Sequence, residues 1–185
     1  MSVLVFFLEE RSAEEMLKGV LPRILPEGIY PQFIVFEGKQ DLEKQITRKL
    51  KGWLAPDTLF VVIRDQDGGD CIVIKENLRQ KCINAHHEDV LIRIACHELE
   101  SFYLGDLDAV KKGLGIRKLH STREVLRYEN PDEVDQPSQV LIKITNNRYQ
   151  KIGGSRAIAP HLAIDGSNSS HSFNILIKGI LEIIQ

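Results

Sequence analysis

The stretch LFVVIRDQDGGD, residues 59–70, restricts what this chain can fold into more than any other. Leu59–Ile63 are all apolar and read as a buried strand. Two carboxylates follow, Asp65 and Asp67, then Gly68, Gly69 and an Asp70 that opens a helix. Acidic residues at the carboxyl end of a central strand sit where open α/β sheets usually bind ligands. In an extended chain residues i and i+2 project to the same side, so Asp65 and Asp67 are expected to converge on one cation. Hard oxygen donors with no soft competitor suit Mg²⁺ or Mn²⁺. A D-x-D pair is also what a solvated acidic turn looks like, so the rest of the chain has to decide.

The surrounding pattern alternates. Val3–Leu8 is rich in β-formers and reads as a strand. Ser12–Glu15 has the form of an S-x-x-E capping box. The helix it starts carries Met16, Leu17, Val20 and Leu21 and closes around Pro22–Pro26. Gln32–Phe36 is a second strand. Leu42, Ile46, Leu50 and Trp53 recur at helical spacing. After the third strand, 59–64, a helix runs from Asp70 to about Asn84 with Ile74, Leu78 and Cys82 on one face. Val90–Ala95 is a fourth apolar run, and His97–Tyr103 begins another helix. This order predicts an α/β fold, a mostly parallel sheet with helices on both faces.

Beyond that core, residues 114–135 read as a polar loop or insertion, and Pro137 opens a short helix at Val140–Ile144. Residues 151–171, rich in Gly, Ser and Asn, read as a long loop. The closing segment from Ser172 to Ile184 is apolar around most of a helix, which predicts burial on more than one side. It would be a central packing helix, or part of a homodimer or ATPase interface. The expected organisation is one domain over 1–185, with a core of about 1–113 and a C-terminal extension of about 114–185.

At 185 residues the chain can bury a substantial core. Its net charge of −2 excludes a global basic field, so any nucleic-acid contact must use a local patch or a partner's surface. Cys71, Cys82 and Cys96 have no C-x-x-C spacing and cannot all pair, which fits a reducing cytoplasm better than a disulfide framework or a zinc site. The run VLVFFL lacks a basic lead and meets Glu9–Glu10, so it reads as a strand and not as a signal peptide. No apolar run approaches the roughly 20 residues of a membrane span.

Three acidic clusters end three expected strands: Glu9 and Glu10, Asp65 and Asp67, and Glu98 and Glu100. In a parallel sheet these ends share one edge. Carboxylates gathered there repel one another unless a cation neutralises them. That favours one metal site over three solvated turns, although each glutamate alone would also suit a helix N-terminus.

A glutamate after the first strand and D-x-D after the third resemble the Toprim domain of topoisomerases, primases, OLD-family nucleases and small maturation nucleases. More closely, the chain is similar to a family of uncharacterised prokaryotic proteins with a Toprim-like core. The matching segments are LEERSAEEMLKGVLPRILPEG, FEGKQDL, VIRDQDGGDC, IRIACHELESFYLGD, ENPDEVDQP and GGSRAIAPHL. The resemblance implies Glu9 as the first-strand glutamate and Asp65 and Asp67 as the D-x-D pair. In OLD-type nucleases a glutamate in an E-N-Y-like turn follows the next strand, and Glu100 in ELESFY matches it, with Glu98 a near alternative. Glu10 stands where Toprim domains usually have glycine, so Glu9 and Glu10 both remain candidate ligands. By resemblance, the activity is divalent-metal-dependent hydrolysis of DNA or RNA, beside an ATPase and often in defence against phage. The chain lacks G-x-x-x-x-G-K-[ST], so that ATPase would be a separate polypeptide.

Arg156 and His161 in GGSRAIAPHL are candidates for phosphate contact, Arg156 adding charge stabilisation, or else for a capping role in a surface loop. Lys39, His86, His87 and His97 read more simply as solvated helix-start or turn residues, and Trp53 as packing. Tyr30, Tyr103, Tyr128 and Tyr149 stand in no setting recognisable for a strand-joining nucleophile. Two other functions remain open. A haloacid-dehalogenase-type phosphatase would use Asp65 as nucleophile, but D-x-D is then usually on the first strand. A non-catalytic subunit would keep a degenerate Toprim site for regulation or partner binding.

Overall fold

The computed structural model describes residues 2–120 and 130–185. Tyr128, Glu129 and the centre of the polar 114–135 segment lie outside the described residues. Strands β1 (Ser2–Leu8), β2 (Ile29–Val35), β3 (Thr58–Asp65) and β4 (Leu91–Ala95) form one four-stranded sheet in the order β2-β1-β3-β4. All three pairings are parallel, with Phe6 opposite Phe33 and Val61, and Asp65 opposite Ala95. The expected α/β class is the observed one.

The reason is readable in β1 and β3. Successive side chains point to opposite faces, and in both strands nearly every one is apolar. Leu4, Phe6, Leu8, Val61 and Ile63 join one buried cluster, while Val5, Phe7, Phe60 and Val62 join the other. Such strands need cover on both sides.

Helix α1 (Arg11–Val20) covers the first face. Helices α2 (Lys39–Lys51) and α3 (Cys71–Ile83) cover the second, through Leu42, Ile46 and Leu50 and through Ile74, Leu78 and Cys82. Asp70 caps α3, its carboxylate accepting from the Ile72 and Val73 N–H groups. The single turn α4 (Ser101–Leu104), α5 (Leu107–Leu114), α6 (Pro137–Ile144), α7 (Lys151–Ile158) and α8 (His171–Ile183) all add to the first face.

Three expectations are corrected. The capping box does not form: α1 begins at Arg11, Ser12 donates to the Glu10 carboxylate, and Glu15 pairs with Lys18 and Arg156. The extended backbone of Glu10 starts the helix before Ser12 can cap it. Residues 151–158 are helix α7, not loop, and Arg156 is on that helix. Here small residues replace apolar periodicity: a Cβ on Gly113 of α5 would lie 2.5 Å from the Ala157 carbonyl oxygen, so the two helices touch through backbone. Helix α8 is more amphipathic than expected. It buries Phe173, Leu176, Ile177 and Ile180 and leaves His171, Ile175, Lys178 and Glu182 exposed on one stripe.

Candidate functional site

The parallel sheet delivers the ends of β1, β3 and β4 to one edge, and the acidic residues stand there. Asp65 is the last residue of β3 and is 7% exposed. Burial pushes its carboxyl well above the usual carboxylate range, and Glu10, Glu9 and Glu100 push it further, with Lys151 the opposing charge. Four carboxylates from three strand ends thus act on one another.

Glu9 and Glu10 face different ways, as consecutive residues leaving a strand must. Glu9 accepts a 3.1 Å hydrogen bond from the Asp65 N–H and lies 3.9 Å from the Arg64 guanidinium. Arg64 also reaches Glu43 of α2, at 3.2 Å. Burial raises the Glu9 pKa, and Asp67 and Glu10 add to the rise against the Asp65 N–H and Arg64. Glu10 turns the other way, and both its oxygens lie 3.1 Å from the Lys151 ammonium.

Glu100 is fully buried. Its Oε1 accepts from the Tyr149 hydroxyl at 2.8 Å, while Oε2 has no hydrogen-bond partner. Burial raises its pKa against the pull of Lys151 and Tyr149. Glu98 is turned aside, accepting at 2.7 Å from the Ser138 N–H at the start of α6. Of the two glutamates after β4, Glu100 is the one that acts on Asp65.

Asp67 departs from the extended geometry expected of it. The strand stops at Asp65, and Asp67 has φ 53°. Its N–H donates to the His97 carbonyl at 2.7 Å, and His97, also at positive φ, donates its N–H to the Gln66 side chain at 3.2 Å. This fastening fixes the turns after β3 and β4 to each other. The Asp67 carboxylate meets Lys39 of α2 at 2.7 Å. Lys39, read from sequence as a solvated helix start, is the outer counter-charge of the edge.

Arg156 is not brought to these groups. It pairs with Glu15 across the contact of α7 with α1, and its side chain is 68% exposed. The residues that sequence reasoning missed are Lys151 and Tyr149. Burial opposes the Lys151 charge, but Glu100, Glu10 and Asp65 outweigh it and raise its pKa. Tyr149 is buried against Gly154 and Tyr103, with ring centroids 6.0 Å apart in the tyrosine pair. Gly153, Gly154, Ser155 and Ala157 follow Lys151 closely, and read as a close-packing helix they would have marked it as a helix start beside the core.

The donors around Asp65 are carboxylate oxygens, hard ligands suited to Mg²⁺ or Mn²⁺. The unpartnered Oε2 of Glu100 is one lone-pair site left for a cation. Glu10, Asp65 and Glu100, with Glu9 beside them, are the residues that would have to converge on such an ion. Among the described residues no three His, Cys, Asp or Glu side chains stand close enough together to hold a metal ion as a group. The cation held there is the Lys151 ammonium.

No helix among the described residues is long and apolar enough to cross a membrane. No curated protein and no solved structure matches the chain. The family model described as "Domain of unknown function (DUF4276)" matches residues 8–181, nearly the whole chain, and the protein belongs to that family.

Proposed function

We propose that the protein is a divalent-metal-dependent nuclease that hydrolyses phosphodiester bonds in DNA or RNA. The observation that carries this reading is the burial of Asp65 among Glu9, Glu10 and Glu100, with one Glu100 oxygen left unpartnered. Such crowding is costly for a folding protein and is the arrangement expected where a doubly charged cation is to be held. The Toprim resemblance of the β1, β3 and β4 ends supports the same chemistry.

In this reading Glu10, Asp65 and Glu100 hold the ion, and Glu9 orients the Asp65 peptide. A bound Mg²⁺ or Mn²⁺ supplies an activated water and charge stabilisation on the phosphoryl oxygens. Tyr149 fixes the rotamer of Glu100, and Lys151 stands where it can meet a phosphate oxygen once Glu10 turns to the ion. By the Toprim resemblance the chain works in the cytoplasm beside a separate ATPase in defence against phage, and that partner supplies the nucleic-acid contact that the chain's own net charge makes weak.

The test compares wild type with Asp65→Ala on labelled single- and double-stranded DNA and RNA, with Mn²⁺ or Mg²⁺, with and without the product of a neighbouring gene. Cleavage by wild type alone is expected. Equal cleavage by both proteins would mean a contaminant.

One observation favours a second reading, a non-catalytic subunit. Lys151 already neutralises Glu10, so the edge holds together without a metal. Partner binding with no cleavage under any of these conditions, and no change of melting temperature with Mn²⁺, would establish it. The phosphatase reading is weaker, because D-x-D here stands at the end of the third strand, whereas that chemistry usually places it on the first.

A further inference from the structure

The outer edge of β4 pairs with no strand among the described residues, and a groove of about 440 Å³ runs along it between α3 and α8. Ala95 turns its backbone toward β3, its carbonyl accepting from the Gln66 N–H at 2.9 Å. Alternation therefore turns the backbone groups of Ile92 and Ile94 outward. Ile72, 75% exposed, and Ile175, 36% exposed, stand on the two walls. An unpaired strand edge between apolar walls is the geometry that accepts an added strand.

The charges on the groove select what kind. Lys75 and Arg79 have no side-chain hydrogen bond or ion pair among the described residues, and with Arg93 they outnumber the one carboxylate of the lining, Glu76, which accepts from Gln80. Arg93 lies across the edge itself, and its guanidinium is bonded only to carbonyls, Ile92 O at 3.0 Å and Ile175 O at 3.1 Å. A carboxylate is the stronger acceptor for a guanidinium. An incoming acidic side chain would draw Arg93 off the edge and free the Ile92 carbonyl for pairing.

We propose that this groove binds an extended, acidic segment of a partner protein, which adds to the sheet as a strand beside β4. A second copy of the chain fits less well. Antiparallel pairing of β4 with itself, centred on Arg93, sets like charges directly opposite, which is destabilising. A nucleic-acid strand would use the three cations but not the exposed isoleucines or the open backbone edge.

The test uses the full chain and two fluorescein-labelled peptides, one of alternating Val and Glu and one of alternating Val and Lys, followed by fluorescence anisotropy. A labelled oligodeoxythymidine and sedimentation velocity run in parallel. The Glu peptide is expected to bind at least about tenfold more tightly than the Lys peptide, and Lys75→Glu with Arg79→Glu should remove that preference. Amide exchange at Ile92 and Ile94 should slow on binding. Ile72→Asp, at an exposed position, should weaken the Glu peptide without lowering the melting temperature. Equal binding of the two peptides, or none, overturns the proposal. So does a dimer that the same charge reversal dissolves, or an oligodeoxythymidine that displaces the Glu peptide.

Discussion

At Asp65 three carboxylates press on a fourth inside the protein, and the sign of the consequence is fixed. A carboxyl whose pKa is raised by folding holds a proton that the unfolded chain has already lost. Its contribution to stability is full below the ordinary aspartate range and is lost as pH rises through the raised value, at up to about 1.4 kcal/mol per pH unit. Asp65→Asn removes that loss. The variant is expected to be more stable than wild type at neutral pH without metal, the gap closing toward acid pH, and to show no stabilisation by Mn²⁺. Urea denaturation across the pH range measures it, and a variant less stable than wild type at neutral pH would show that the Asp65 charge is structural. Tyr149→Phe should act oppositely. It leaves a buried Glu100 with neither oxygen bonded, at a cost of about 1–3 kcal/mol, visible as a lower urea midpoint. The acidic members of this edge were legible in sequence because each ends an apolar run. Lys151 and Tyr149 were not, because one opens and the other precedes a short helix whose centre is Gly153, Gly154 and Ser155 and so carries little apolar period.

At the scale of elements, the same small residues explain which segments were legible. β1, β3, α2 and α3 announce themselves because large apolar side chains mark the buried face, as Leu42, Ile46 and Leu50 do on α2. Helix α7 packs by omission. A Cβ at Gly113 would meet the Ala157 carbonyl oxygen and the Ile158 Cα at 2.5 and 2.7 Å, both backbone atoms that cannot step aside. Gly113→Ala is therefore expected to destabilise by about 1–3 kcal/mol through overpacking. Gly153, also helical, has nothing within 4 Å of the same point. Gly153→Ala should be neutral or stabilising by up to about 1 kcal/mol, since alanine is the better helix former. Chemical denaturation of the two variants side by side checks the pair, and equal effects would contradict the close approach of α5 and α7. At the start of α1 the sequence misled for a different reason: Ser12 and Glu15 have the right spacing for a box, but Glu10 and Arg156 offer each a stronger charged partner.

Across the whole molecule, residues on both sides of position 113 share one buried core. One apolar cluster runs from Leu4 of β1 to Ile180 of α8, and Leu141, Ile144 and Ile158 lie in it beside Met16 and Val61. A chain ending at Leu114 is expected to lack a cooperative unfolding transition, whereas the full chain should show a single one by circular dichroism. The connection also runs through charge. Glu10, Asp65 and Glu100 lie within the first 100 residues, and the chain grows to residue 151 before their ammonium partner exists. During synthesis on the ribosome this charge balance is completed only when α7 docks. The finished protein thus acquires its electrical balance late, from the segment that the pattern of apolar residues marks least.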